Sequence, residues 1–538
     1  MERISADEAA RLVRPSDALL LSGSGGGHSV PEALLAAVER RFLAEGAPRD
    51  LTSISIVGIG DRATLGAGHL AHEGLLKRAI TSALVDSPGL AVMAAADKIE
   101  AYTLPQGVLS QLMRDMAAGR PGLFSKTGLH TFIDPRQLGG KQSKSAKESF
   151  VEVIELHGEE WLFFKPLPIN IAFLRGTTAD EDGNVTMEQE AVLGEMLAMA
   201  QATRRAGGIV VVQVKRMARR GTLPPKQVKI PGILVDFVVL VPDQRQTYAT
   251  DYDPSYAGEL RVPLSEINPI PFGPRKVIVR RAAMELFPDA ICNLGAGVST
   301  GLSTIAAEEG ILDSVVLTNE QGIIGGAPIT GRDSGGGQNF AAMIEQPYQF
   351  DFYDGGGLDL AFLSFAEVDP EGNVNVSRFG DRIIGVGGFI NIAQNAKTVI
   401  FNGTLTAGEL AISWPDGRIK IEREGKHKKF VKSVQQICYS ARIARERQQT
   451  ALFVTERAVF RIAGKGMELI EVASGVDLER DIFGRMEFRP AVAPDLREMD
   501  PRLFRPGPMG LEQDLASQPR RYRNERLKAW YEARNARA

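Results

Sequence analysis

Short apolar runs alternate with stretches of helical periodicity along most of the chain. Residues 18–23 (ALLLSG), 51–59 (LTSISIVGI), 208–214 (GIVVVQV) and 233–241 (ILVDFVVLV) have the length and continuity of buried strands. Residues 30–46 (VPEALLAAVERRFLAEG) carry apolar side chains at helical spacing and end on a glycine, which predicts a helix stopped there. Strand followed by helix, repeated, predicts an open α/β fold with a mainly parallel sheet. Residues 242–276, rich in Pro, Asp and Tyr, hold no sustained period and break the rhythm. It then resumes, with a helix at VIVRRAAMEL and a strand at AICNLGAG that runs into glycines.

The resumed pattern repeats the first. LLLSGSGGGHSVPEAL near the start matches AICNLGAGVSTGLSTI at 290–305, each a strand, a glycine loop and a helix. LRGTTADEDGNVTM (174–187) matches SFAEVDPEGNVNVS (364–377) through DEDGNV and DPEGNV, and AGGIVVVQV matches AKTVIFNGT. The expected architecture is therefore two similar open α/β domains with mainly parallel sheets. We place the first at 1–245, a connector at 246–275, the second at 276–515 and a basic tail at 516–538. In such a pair the ligand is expected at the domain interface.

Composition narrows the function. The chain has 538 residues, 44% hydrophobic and 24% charged, with a net charge of −3. That balance gives no global attraction to nucleic acid or to an anionic membrane. The basic tail, PRRYRNERLKAWYEARNARA, is expected to be a solvated surface segment, because a nucleic-acid arm comes with a wider basic surface. No apolar run approaches the roughly 20 residues that span a bilayer. The opening MERISADEAARLVRPSD carries acids and lacks the apolar core of a secretory signal. Two cysteines, Cys292 and Cys438, cannot build a disulfide framework, and a cytoplasmic location is expected.

The chemistry candidates are glycine loops and one carboxylate. GSGGGH (23–28) has His28 where a dinucleotide fingerprint needs a small residue, GAGVSTG (295–301) has Thr300 there, and no GxxxxGK[ST] occurs. Each loop is either a tight strand-to-helix turn or a set of bare backbone N–H groups for an anion. IIGVGGFINIAQNAK (383–397) is a third such turn, through Gly385, Gly387 and Gly388. Glu320, in TNEQGIIGGAP, follows the buried-looking run SVVL directly, where crevices open in α/β folds. Gly322, Gly325 and Gly326 after it would leave room for a bulky group to reach the carboxylate, which can act as nucleophile or base. A capping or salt-bridged glutamate is the alternative. His28, His130 and the other histidines have no ligand spacing, so no metal is expected. Residues 415–432, alternating in sign and polarity, predict a solvated hairpin; its Lys426, Lys428 and Lys429 are the alternative contact for a phosphate.

Several longer stretches together carry a family resemblance. EAYTLPQG, GLHTFIDPRQLGGK, KPLPINIAFLRGTTADEDGNVTMEQEA, KIPGILVDFVVL, TYATDYDPSYAGELRVPL, NLGAG, TNEQGIIGGAP and GVGGFINIAQNAK occur in order. The chain resembles the family I coenzyme A transferases, most closely the acetate/propionate group in which both subunit types are fused. That resemblance implies an enzyme that takes acyl-CoA and short-chain carboxylic acids: acetate, propionate, butyrate or acetoacetate. It makes Glu320 the nucleophile, with a covalent glutamyl-CoA thioester, no metal and no cofactor beyond CoA as substrate. It also implies that Asn293, Gly295, Ala296 and Gly297, with Gly387 and Gly388, contact CoA or support an oxyanion. By the same resemblance, Gly25, Gly26 and Gly27 close the crevice from the first domain. Asn319 departs from the more usual Ser or Thr and would adjust acid specificity. A homodimer or homotetramer is implied as well. An acyl-CoA hydrolase on the same scaffold, or a non-catalytic CoA or nucleotide sensor, are the competing readings.

Overall fold

The computed structural model describes residues 1–263, 269–464 and 466–535. Residues 264–268 of the expected connector, Lys465 and the last three residues of the basic tail lie outside the described residues. The first half is built on eight strands: β1 (Glu2–Ile4), β2 (Ala18–Leu21), β3 (Leu51–Ser55), β4 (Leu76–Thr81), β5 (Glu100–Thr103), β6 (Ile171–Arg175), β7 (Ile209–Val214) and β8 (Phe237–Leu240). All pair in parallel, in the order β1-β8-β7-β6-β2-β3-β4-β5. Every residue of β2 and β6 is buried, as expected of parallel strands covered on both faces.

The second half has strands β9 (Ile291–Leu294), β10 (Val316–Thr318), β11 (Ile323–Ile324), β12 (Ala342–Met343), β13 (Leu360–Ser364), β14 (Thr398–Asn402), β15 (Thr450–Val454), β16 (Ala458–Ala463), β17 (Gly466–Val472) and β18 (Ala491–Glu498). Their order is β12-β11-β10-β9-β13-β14-β15-β16-β17-β18. β10-β9-β13-β14-β15 are parallel; antiparallel pairings extend the sheet on both sides, and β18 joins β17 in parallel.

The two halves are similar in topology, as the repeated motifs predict. β7-β6-β2-β3 in the first corresponds to β14-β13-β9-β10 in the second. The DEDGNV and DPEGNV turns fold alike. Asp180 Oδ1 accepts from the Asp182 and Asn184 backbone N–H groups, and Asp369 Oδ1 accepts from those of Glu371 and Asn373. A short carboxylate thus ties the same tight turn in each half.

The predicted helix at 30–46 runs Glu32–Glu45, started after Pro31 and ended by Gly46 at φ 68°. The run 233–241 becomes a strand only at Phe237. Its first residues form a 3-10 turn, and Ile233 there is 86% exposed. An antiparallel sheet of Leu123–Ser125, Val151–Leu156 and Glu159–Phe164 had no counterpart in the sequence pattern.

The halves share one apolar core. The helix Gln106–Ala117 packs on Gln346–Asp354 and Phe389–Asn395, and the buried cluster runs from Leu109 and Leu112 through Phe350 and Phe389. The connector also packs: Asp333 accepts from Thr247 Oγ1 at 2.6 Å and Thr250 Oγ1 at 2.7 Å.

Helix Glu32–Glu45 is clasped to the turn Gly66–Leu70. His69 has Glu32 Oε1 2.6 Å from Nε2 and Glu39 at Nδ1, and His72 also reaches Glu39. Burial alone would lower the His69 pKa, but the two carboxylates outweigh it and raise it. The clasp therefore stabilises fully below the unfolded histidine value, near 6.5, and is lost as pH rises through the raised folded value. Urea midpoints at pH 6 and pH 9 should show His69→Gln losing about 2 kcal/mol at the lower pH and little at the higher.

Candidate active site

A cleft of about 610 Å³ opens between the halves at the carboxyl ends of their central strands. Ser24, Gly25, Gly26, Val57, Asp86, Gln106 and Tyr248 line it from the first half and connector; Gly295, Ala296, Glu320, Gly387 and Gly388 line it from the second. Glu320 stands two residues beyond the end of β10, and Val57 stands two residues beyond the end of its counterpart β3. Only the second half places a carboxylate at this point of the repeat.

Glu320 and Gln321 form the tip of a hairpin in which Thr318 pairs antiparallel with Ile324. Asn319 builds that tip. Its Oδ1 accepts from Gln321 N at 3.0 Å and its Nδ2 donates to the Gly335 carbonyl at 2.9 Å. Asn319 is 4% exposed, so its side chain shapes the turn rather than offering a free amide to an acid. The glycines have a different role from the one their sequence position predicts. Gly322 and Gly326 adopt φ of 98° and 67°, and an added Cβ would fall 2.0 Å from Ile344 O and 2.1 Å from Gln338 O, respectively. They are glycine because the backbone turns left-handed against other backbone, not to make room for a ligand.

Beneath Glu320 lies a buried polar layer. The Tyr353 hydroxyl is 2.7 Å from Thr318 Oγ1 and accepts from Gln349 Nε2 at 2.7 Å and Asn293 Nδ2 at 3.3 Å. Gln349 Nε2 also reaches the Asn319 carbonyl. Glu320 keeps some accessible surface toward the cleft but sits deep in the fold. Burial raises its pKa, opposed by its own backbone and the Asn293 side chain; among the described residues no charged neighbour contributes. A carboxylate with raised basicity, poorly hydrated and without a salt-bridge partner, is equipped to attack an electrophilic carbon.

The glycine loops divide. A Cβ on Gly388 would lie 3.5 Å from Glu320 Cγ, so this turn flanks the carboxylate. Gly387 N–H donates to the Ser82 carbonyl at 3.0 Å and is not free to bind a ligand, whereas Gly388 N–H has no acceptor among the described residues. Gly295 N–H donates to Phe362 O and continues the ladder between β9 and β13, while Ala296 is exposed at the mouth. Gly297 and Asn293 do not line the cleft, Asn293 being fully buried. Gly25 backs onto Asp86 and Gly26 onto the Arg332 carbonyl, but Gly27 packs on the Tyr248 ring away from the cavity.

Three further cleft residues, Gln106, Tyr248 and Asp86, belong to none of the glycine loops. Gln106 donates its backbone N–H to Gly387 O at 2.9 Å. Tyr248 donates from its backbone N–H to Gly26 O and from its hydroxyl to Glu32 Oε2 at 2.6 Å. Asp86, its pKa raised by burial against the pull of Arg62, lies beside Gly25. For Gln106 and Tyr248 the only sequence signal was membership of the quoted stretches EAYTLPQG and TYATDYDPSYAGELRVPL; Asp86 lies in none of the quoted stretches. His28 is buried, with Nε2 3.1 Å from the Asp333 carbonyl. Of the hairpin lysines, Lys426 pairs with Glu409, Lys428 donates to the Met486 carbonyl, and Lys429 is buried over the Phe365 ring. Lys429 thus departs from the solvated hairpin. No group of three or more His, Cys, Asp or Glu able to hold a metal occurs among the described residues.

Residues 3–240 match the family model described as Coenzyme A transferase. The acetate CoA-transferase YdiF of Escherichia coli K12 is 42% identical over 508 residues, 94% of this chain and 96% of that one. The caffeate CoA-transferase of Acetobacterium woodii is 43% identical over 510 residues, 93% and 97% of the two chains. The crystal structure of the YdiF acyl-CoA transferase from E. coli O157:H7, a thioester complex with CoA, superposes with a TM-score of 0.90 at 42% identity, covering 95% of this chain and 97% of that one.

Proposed function

The chain belongs to the coenzyme A transferase family, and from that premise we propose that it moves CoA between short-chain carboxylic acids through a covalent thioester on Glu320. The observation that carries this reading is the geometry around Glu320: a largely buried carboxylate on which no charged group among the described residues acts, at a hairpin tip in the interdomain cleft, flanked by Gly388.

The carboxylate attacks the thioester carbon of an acyl-CoA. A tetrahedral oxyanion forms and collapses to a mixed anhydride as CoA thiolate leaves. The thiolate attacks the Glu320 carbonyl carbon, giving the glutamyl-CoA thioester and releasing the first acid as its carboxylate. A second carboxylate then runs the sequence in reverse. Each attack conserves an activated acyl bond, so no ATP, metal or further cofactor enters. Each oxyanion gains from a preorganised donor by several kcal/mol, and Gly388 N–H is our candidate. Ala296 and Gly25–Gly26 are candidate CoA contacts at the mouth.

The acids in this reading are short and carry one carboxylate: acetate, propionate, butyrate or acetoacetate. Among the described residues no helix is long and apolar enough to cross a membrane. A cytoplasmic homodimer or homotetramer completes the reading.

Mass spectrometry tests it directly. Incubation with propionyl-CoA and no acceptor should leave a CoA-sized adduct on the Glu320 peptide, discharged by acetate with formation of acetyl-CoA. Turnover without that adduct would move the chemistry away from Glu320. Acceptor-independent release of free CoA would make the enzyme a hydrolase.

A further inference from the structure

A buried polar chain crosses the domain interface and ends in the cleft. Glu195 lies just ahead of the helix Met196–Arg205 and is 4% exposed. One of its oxygens, Oε1, accepts from Ser110 Oγ at 2.6 Å and from Gln346 Nε2. Gln346 Oε1 in turn accepts from Gln106 Nε2 at 3.1 Å. Gln106 Oε1 then points to the Gly387 turn, 3.6 Å from where a Cβ on Gly387 would stand. Ser110, Gln106 and Glu195 come from the first half, Gln346 from the second. Gln346 is itself pinned, its backbone N–H donating to the Gly194 carbonyl at 3.1 Å.

An amide has a donor end and an acceptor end, so two amides in series transmit polarity. An ionised Glu195 only accepts. It therefore draws Gln346 Nε2, leaves Gln346 Oε1 for Gln106 Nε2, and turns Gln106 Oε1, an acceptor, toward the cleft. A protonated Glu195 can donate from Oε1 while still accepting from Ser110. Both amides then reverse, and Gln106 presents N–H to the cleft. We propose that Glu195 is a positioning residue which, through Gln346, sets whether Gln106 offers a donor or an acceptor beside the Gly387–Gly388 turn.

Burial raises the Glu195 pKa to about 7, with Glu345 adding to the shift and Ser110 and Gln346 opposing it. Among the described residues no cation acts on Glu195; Lys229 and Arg114 act on Glu345 instead. The switch thus works in the neutral range. Since oxyanions and carboxylates in the cleft need donors, the protonated form is the active one. This rests on the transferase reading for its rate effect, though not for the titration.

Two measurements test the relay. In the wild type, kcat/KM for transfer should fall at least about tenfold as pH rises from 6 to 8.5, the scale of weakening one donor. Glu195→Gln, which can pair in either sense, should keep the activity seen at pH 6 and lose the decline. Gln346→Met, which cuts the relay, should lose the decline as well. A purely structural role would scale the whole profile without changing its shape. Independently of turnover, the infrared difference between wild type and Glu195→Gln should show a protonated carboxyl band that fades through pH 7. A decline that persists in Glu195→Gln, or no titrating band, overturns the inference. A wild type that transfers no CoA at all overturns the transferase reading instead, and the infrared titration still decides the state of Glu195.

Discussion

Glu320→Gln should abolish CoA transfer, with kcat/KM falling by at least about 10⁴-fold, the scale seen when an essential nucleophile is removed. The amide keeps the size of the side chain and can still meet Asn293, but its oxygen is too weak a nucleophile to open a thioester. Glu320→Asp is the graded case. It keeps the carboxylate and withdraws it by one methylene, and a displacement of that order costs about 10²-fold. Stability should move the other way. A folded carboxyl pKa raised by burial means that the native state holds its proton more tightly than the unfolded chain. The wild type therefore loses stability as pH rises from the unfolded value, near 4.3, through the folded one. Glu320→Gln carries no such loss and should melt above the wild type at pH 8, with the gap closing toward pH 4. A dead enzyme that is also less stable at pH 8 would make Glu320 a structural group whose loss disturbs the hairpin. Steady-state transfer and thermal melts on the same preparations separate the two.

What could be read in advance follows the range of the forces involved. Glu320 was legible because a charge directly after an apolar strand is a local anomaly, and the strand that precedes it is a local pattern. The doubled architecture was legible because Asp180 and Asp369 tie the same turn within four residues. Gln106, Gln346 and Glu195 were not, because their contacts join residues 151 and 240 positions apart and glutamine has no periodicity of its own. The expectation that Asn319 adjusts acid specificity has the same origin, since nothing local reveals that Gly335 and Gly336 occupy its amide. The glycines show the same limit from the other side. The sequence marks where a Cβ is not tolerated, but only the fold says whether a ligand, a neighbouring strand or the backbone's own φ excludes it.

Gly322→Ala distinguishes these causes with the second-largest effect. A Cβ there would stand 2.0 Å from Ile344 O and 3.0 Å from Ile344 C, on a backbone held at φ 98°. The two segments cannot simply part, because Ile344 N–H donates to Gly322 O at 3.0 Å. Left-handed backbone costs an alanine roughly 1–2 kcal/mol, and displacing packed neighbours roughly 1–3 more. A loss of about 3 kcal/mol is expected in urea denaturation, with transfer reduced about 10²-fold as the hairpin carries Glu320 out of place. Gly331→Ala is the control. It sits at φ 81° on the same cleft wall with nothing within 4 Å of its Cβ, so only the backbone term applies, about 1 kcal/mol. If Gly322 instead kept space open for the thioester, its alanine variant would denature like Gly331→Ala and show its defect as a raised KM for acyl-CoA. Equal midpoints for the two variants would therefore restore the ligand-clearance role; a gap of about 2 kcal/mol, with kcat lowered more than KM is raised, assigns the glycine to the hairpin that aims the nucleophile.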